Sequence, residues 1–233
     1  MNREYHKWFS TRLNRDMELV IYGHAGTPIL VFPTSMGRFF EYEDQGMIGA
    51  MWDYLERGSI QLFCVDSVDR ESWYNSNAHP RDKASRHVAY ESYIREEVMP
   101  FLRGKNWSQQ IITTGCSFGA YHAMTFALKN ADLITGCVAM SGAFDISQFL
   151  HGYYDDNCYF SNPVDYVSGL NNPLIWQRHY ILAAGDWDIC LGDTLRLAAL
   201  FDQKSIPHTT DIWGSHQKHD WPLWHGMARK FFG

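Results

Sequence analysis

A serine flanked by glycines, Gly115-Cys116-Ser117-Phe118-Gly119, stands where a β-rich run gives way to a helical pattern. GxSxG at a strand-to-helix turn is the pattern of a nucleophile elbow, where the chain bends so sharply that only small neighbours fit and the hydroxyl is thrust clear of the sheet. Such a serine could attack a carbonyl carbon. The N-terminus of the following helix would then aim orphan N–H groups at the oxygen that turns negative. A hydroxyl is a poor nucleophile at neutral pH, so the chemistry needs a base and a carboxylate to orient that base. Taken alone, the five residues leave a simple tight turn as the alternative reading.

The missing partners are sought downstream, in the order acid then histidine. HYILAAGDWDIC ends a β-rich run with two aspartates. Asp188, with room in the loop to turn back, is the expected acid; Asp186, beside Gly185, stands second because it could equally close the turn. DIWGSHQKHDWPLWHGM offers three histidines. His219, just ahead of what reads as the final helix, is the expected base, whereas His216 lies early in the loop and His225 falls inside the helix in a structural position. A rival reading makes His216, His219 and Asp220 metal ligands, but no second ligand cluster accompanies them, so neither metal nor cofactor is expected. The oxyanion hole requires two backbone donors. Phe118 N–H is one; VFPTSMGRF supplies the other, with Ser35 preferred narrowly over Met36. Met36, together with Trp73 and Tyr74 of DSVDRESWYN, is expected to shape the substrate pocket, and loop packing is an equal account of the two aromatics.

The elements that would present these residues follow an α/β plan, a mostly parallel sheet with helices on both faces. Strands are read at Met17–Tyr22, Pro28–Pro33, Gln61–Val65, Gln110–Thr114, Leu133–Met140, His179–Ala184 and Thr209–Trp213, the first two as a hairpin. Helices are read at Glu43–Leu55, Ala84–Leu102, Ser117–Lys129, Leu191–Gln203 and Trp221–Phe232. Periodicity fails from about 145 to 178, an aromatic-rich excursion that suits a lid or substrate loop as well as surface elaboration. Residues 1–233 are expected to form one domain. The net charge of -6 gives no electrostatic reason to bind nucleic acid. With no secretory signal or membrane-length apolar run, the expectation is a soluble cytoplasmic protein that does not bind membranes. The five cysteines show no CxxC pairing and are read as reduced thiols. The expected partner is a small-molecule ester, and self-association into a homo-oligomer is left open.

With these residues placed, the chain resembles the putative-esterase family of α/β-hydrolases, which includes S-formylglutathione hydrolases, feruloyl esterases, enterochelin esterases and mycolyltransferases. The likeness runs from about Met17 to the C-terminus and rests on GCSFGAYHAM at Ser117, GDWD at Asp188 and HDWPLW at His219. It implies that Ser117, His219 and Asp188 form a catalytic triad. The early loop departs from the family pattern, having PTSMG where HG-type sequences are common. The reading is therefore a serine esterase working through an acyl-enzyme. Acyl transfer or thioester cleavage on the same triad, or a non-catalytic binding protein on the same fold, are the alternatives.

Overall fold

Runs such as IQLFCV and GCVAM have no polar face, which suits strands covered on both sides. The computed structural model describes residues 2–233 and contains one eight-stranded sheet. Its strands are β1 (Arg3–Ser10), β2 (Arg15–Tyr22), β3 (Thr27–Phe32), β4 (Ile60–Val65), β5 (Ile112–Cys116), β6 (Gly136–Met140), β7 (His179–Gly185) and β8 (His208–Trp213). Their order across the sheet is β1-β2-β4-β3-β5-β6-β7-β8. All pairs from β4 to β8 are parallel, and β2 runs antiparallel to both its neighbours.

Alternate residues of each central strand feed two cores. Leu30, Phe32, Phe63 and Ala139 pack beneath α1 (Pro80–Tyr93), α2 (Phe118–Lys129) and α3 (Leu191–Lys204). Ile29, Val31, Leu62 and Val138 pack on the other side beneath three short helices, Glu41–Asp44, Met47–Ala50 and Trp52–Glu56, and beneath α4 (Trp221–Phe232). The excursion at 145–178 joins the first core through Ile146, Cys158, Tyr166 and Ile175.

Three expectations are corrected here. The opening hairpin is β1 with β2, because β4 lies between β2 and β3. β1 was not read in the sequence, where Tyr5 and Phe9 fall on one face and Trp8 on the other; its alternating exposure, which fits an edge strand, emerges only in the structure. The single helix expected over Glu43–Leu55 is broken, since Gly46 takes φ +76°, a left-handed conformation that ends one helix before the next begins. The long helix from α1 runs on to Lys105 through a wide turn at Ile94–Val98. Pro100 follows that turn and cannot donate a backbone hydrogen bond into it.

Candidate active site

Ser117 sits between the end of β5 and the first turn of α2 with φ +56° and ψ -124°. A non-glycine residue in this region carries strain of about 1–3 kcal/mol, which the surroundings must hold in place. Ser117 N–H donates to Met140 O at 2.9 Å, and Ala120 N–H donates to Ser117 O at 3.0 Å. The glycines on either side permit the close approach. A Cβ on Gly119 would strike the carbonyls of Phe32 and Pro33, and one on Gly115 would strike Gly119 itself.

The loops after β7 and β8 bring Asp188 and His219 to this serine. His219 Nδ1 lies 2.7 Å from Asp188 Oδ1, and its Nε2 lies 2.9 Å from Ser117 Oγ. A proton on Nδ1 donated to the carboxylate leaves the Nε2 lone pair facing the hydroxyl. Asp188 is 7% exposed. Burial pushes its pKa up, but hydrogen bonds from His219, Ser141 Oγ and Cys190 N–H outweigh this, leaving it below the ordinary carboxylate value. Trp224 Nε1 donates in turn to Ser141 Oγ at 2.8 Å, and its ring stands edge-on to His219. Ser141 and Trp224 were not singled out in the sequence. Their signals were the SGAF that closes β6 and the second Trp of HDWPLW.

Asp186 accepts from Gln217 N–H at 2.8 Å and His216 N–H at 3.2 Å, so it pins the histidine loop and is not the residue bonded to His219. His216 turns its ring to Trp187, and His225 Nε2 bonds Gln45 O at 2.9 Å. The structure therefore does not gather His216, His219 and Asp220 as ligands. Asp188, Cys190 and His219 do hold ligand atoms within 4.8 Å of one another. Burial, reinforced by Asp188 and Asp193, pushes the Cys190 thiol up to about 12.

On the other side of Ser117 lies the loop after β3. Phe118 N–H is the first of the unpaired donors at the α2 N-terminus. Ser35 Oγ is 2.7 Å from Tyr74 Oη. Met36, at φ +58°, donates its N–H to Asp69 Oδ2 at 2.9 Å, while Ser35 N–H has no acceptor among the described residues. This distinguishes the two donors that the sequence left close. Glu41 clasps the loop by accepting from Thr34 N–H at 2.7 Å and Thr34 Oγ1 at 2.6 Å. Burial nevertheless leaves its pKa raised.

Met36 is 39% exposed and lines a groove of about 260 Å³ with Arg38, Asp66, Ser67 and Arg70. Tyr74 is half-buried against Phe118 and Phe149. The expectation for Trp73 is corrected: the side chain is fully buried among His87 and Phe149, so it packs the loop and presents no surface to a ligand. Trp187 and Ile189, exposed on either side of Asp188, are apolar surface the sequence reading did not assign. A larger cavity of about 470 Å³, lined by Glu91, Arg95, Lys129 and Asn130, lies at the far end of α2. Helix rise puts that end about 18 Å from Ser117, too remote to serve the serine.

A sequence profile of the family described as "Putative esterase" matches residues 10–230. No curated protein sequence matches. Among solved structures, a ferulic acid esterase superposes with a TM-score of 0.78 at 14% identity, covering 99% of this chain and 96% of that one. An S-formylglutathione hydrolase from Agrobacterium tumefaciens gives 0.77 at 15% identity, covering 98% and 92%. One from Staphylococcus aureus gives 0.71 at 15%, covering 99% and 95%. The fold is that of the α/β-hydrolases. Among the described residues no helix is long and apolar enough to cross a membrane.

Proposed function

We propose that this chain, which belongs to the putative-esterase family, hydrolyses carboxylic esters through an acyl-enzyme on Ser117. One observation carries the reading: His219 bridges Ser117 and Asp188 with hydrogen bonds of 2.9 and 2.7 Å, one from each ring nitrogen. His219 takes the hydroxyl proton as Ser117 Oγ attacks the ester carbonyl carbon. Asp188, buried and held ionised by its hydrogen bonds, stabilises the imidazolium that results. The carbonyl oxygen becomes an oxyanion between the N–H groups of Phe118 and Ser35. His219 then protonates the departing alkoxide, leaving the acyl group on Ser117. A water, deprotonated by the same imidazole, attacks that acyl carbon, and the acid leaves as Ser117 regains its proton.

The test is labelling with a fluorophosphonate and location of the adduct by mass spectrometry. The adduct is expected on Ser117, and Ser117→Ala is expected to lose about 10⁶-fold in kcat toward p-nitrophenyl acetate. A folded protein that takes no label at Ser117, or an Ala variant that still turns over the ester, refutes the proposal.

A further inference from the structure

The molecule buries a second Asp–His contact that the relay does not use. Asp69 is 1% exposed and His122 3%, and Asp69 Oδ1 lies 2.9 Å from His122 Nε2. The other carboxylate oxygen, Oδ2, accepts Met36 N–H at 2.9 Å. A carboxylate withdrawn from water is costly unless its oxygens are engaged by donors. Both oxygens of Asp69 are engaged, one by the nucleophile helix and one by the loop that carries Ser35.

These partners belong to a wider set of ties. The loop at 34–38 is joined to the segment 66–74 through Ser35–Tyr74 at 2.7 Å, Met36–Asp69 at 2.9 Å, Ser67 Oγ to Gly37 O at 2.9 Å and Arg38–Asp66 at 2.7 Å. Tyr74 N–H also donates to Asp69 O, so the segment is closed on itself. Of these four ties, the Asp69 one continues by a hydrogen bond into α2. His122 lies four residues after Phe118, one helical turn, and its ring meets Phe118 edge-on at 5.0 Å. Phe32, Tyr90, Tyr121 and His87 enclose the remainder of the imidazole, and burial keeps His87 uncharged by lowering its pKa.

We propose that Asp69, held by His122, is a positioning residue that sets the separation of the Ser35 and Phe118 N–H groups and so preorganises the oxyanion hole. The proposal rests on Ser117 being the nucleophile. A frame of this kind acts on the tetrahedral state and leaves ground-state binding nearly untouched.

The experiment compares Asp69→Ala, Asp69→Asn and His122→Gln for turnover of p-nitrophenyl acetate and for affinity toward a trifluoromethyl ketone, whose serine adduct carries an oxyanion. Asp69→Ala is expected to lose about 10²-fold in kcat with KM within about threefold, and to lose ketone affinity in parallel. Asp69→Asn keeps an acceptor for Met36 N–H and is expected to recover at least about tenfold of that loss. Unchanged kcat, a kcat loss without a loss of ketone affinity, or an Asn variant no better than Ala overturns the proposal. Should the Ala variant fail to fold, Asp69→Asn and His122→Gln decide alone. A matched fall in kcat and ketone affinity in either variant supports the frame, and wild-type kcat and affinity in both variants refute it. Fluorophosphonate labelling of the wild type separates the two readings. No adduct at Ser117 removes the nucleophile and this proposal with it, whereas a labelled wild type with a fully active Asp69→Ala removes only the frame.

Discussion

The two flanks of Ser117 are built from different material. On the side of β7 and β8, the groups that would work in the proposed reaction are side chains: Asp188 and His219 are bonded to each other and braced by Ser141, Trp224 and Asp186. On the side of β3 and β4, the proposed donor is a backbone N–H, and the side chains of Glu41, Asp69 and Tyr74 hold its loop. A proton relay needs particular side-chain chemistry, so residue type marks it. An oxyanion hole needs donors at the right place, which any residue can supply if the chain is held there.

The comparison predicts unequal sensitivity. Largest is His219→Gln, expected to lower kcat by about 10⁴-fold or more, because among the described residues no other side chain is hydrogen-bonded to Ser117 Oγ. Retention of a tenth of wild-type turnover in steady-state kinetics would break the assignment. Asp188→Asn is next, with a loss of about 10⁴-fold, since an amide no longer fixes the imidazole tautomer or balances its charge. On the opposite flank, Tyr74→Phe removes one bond to Ser35 and leaves Met36 anchored, so kcat is expected to fall only about two- to tenfold. A loss as large as that of Asp188→Asn would mean that the flanks do not differ in kind.

The smallest effects concern stability against pH, and there the flanks have opposite signs. The pKa of Asp188 is lowered in the fold from its ordinary 3.8, so the folded state prefers its ionised form. Its contribution is complete above about pH 4 and is lost as pH falls through the folded value. The pKa of Glu41 is raised by burial from 4.5, so the folded state binds its proton more tightly than the unfolded chain. Its contribution is complete below that value and is lost as pH rises through the folded one. Thermal melts across pH 3 to 7 are expected to show Asp188→Asn flattening the acid limb and Glu41→Gln flattening the limb above pH 4.5. Identical profiles for the two variants would contradict the pKa directions.

Legibility followed the same division. GCSFG, GDWD and HDWPLW identified the residues that the fold brings into hydrogen-bonding distance, because a turn with glycines and loops after strands leaves a local trace. Trp73 and Tyr74 illustrate the limit. They are neighbours of similar chemistry in one loop, yet Trp73 is buried in the core and Tyr74 reaches Ser35. His122 lay inside the quoted GCSFGAYHAM and drew no role, since its partner Asp69 is 53 residues away. The edge strand β1 and the broken helices at 41–56 were likewise set by packing and by one left-handed glycine rather than by period.

By itself the sequence determined the α/β class, the serine at the strand-to-helix turn and the residue types that meet it there, because each depends on local period, turn chemistry or side-chain identity. Tertiary structure alone decided that β4 enters between β2 and β3, and thereby that the loops after β3 and β4 lie side by side. That adjacency ties Met36 to Asp69 and Asp69 to His122. Contacts between segments distant in sequence depend on how the strands are ordered across the sheet, and a backbone donor held by such contacts leaves no mark on its own side chain.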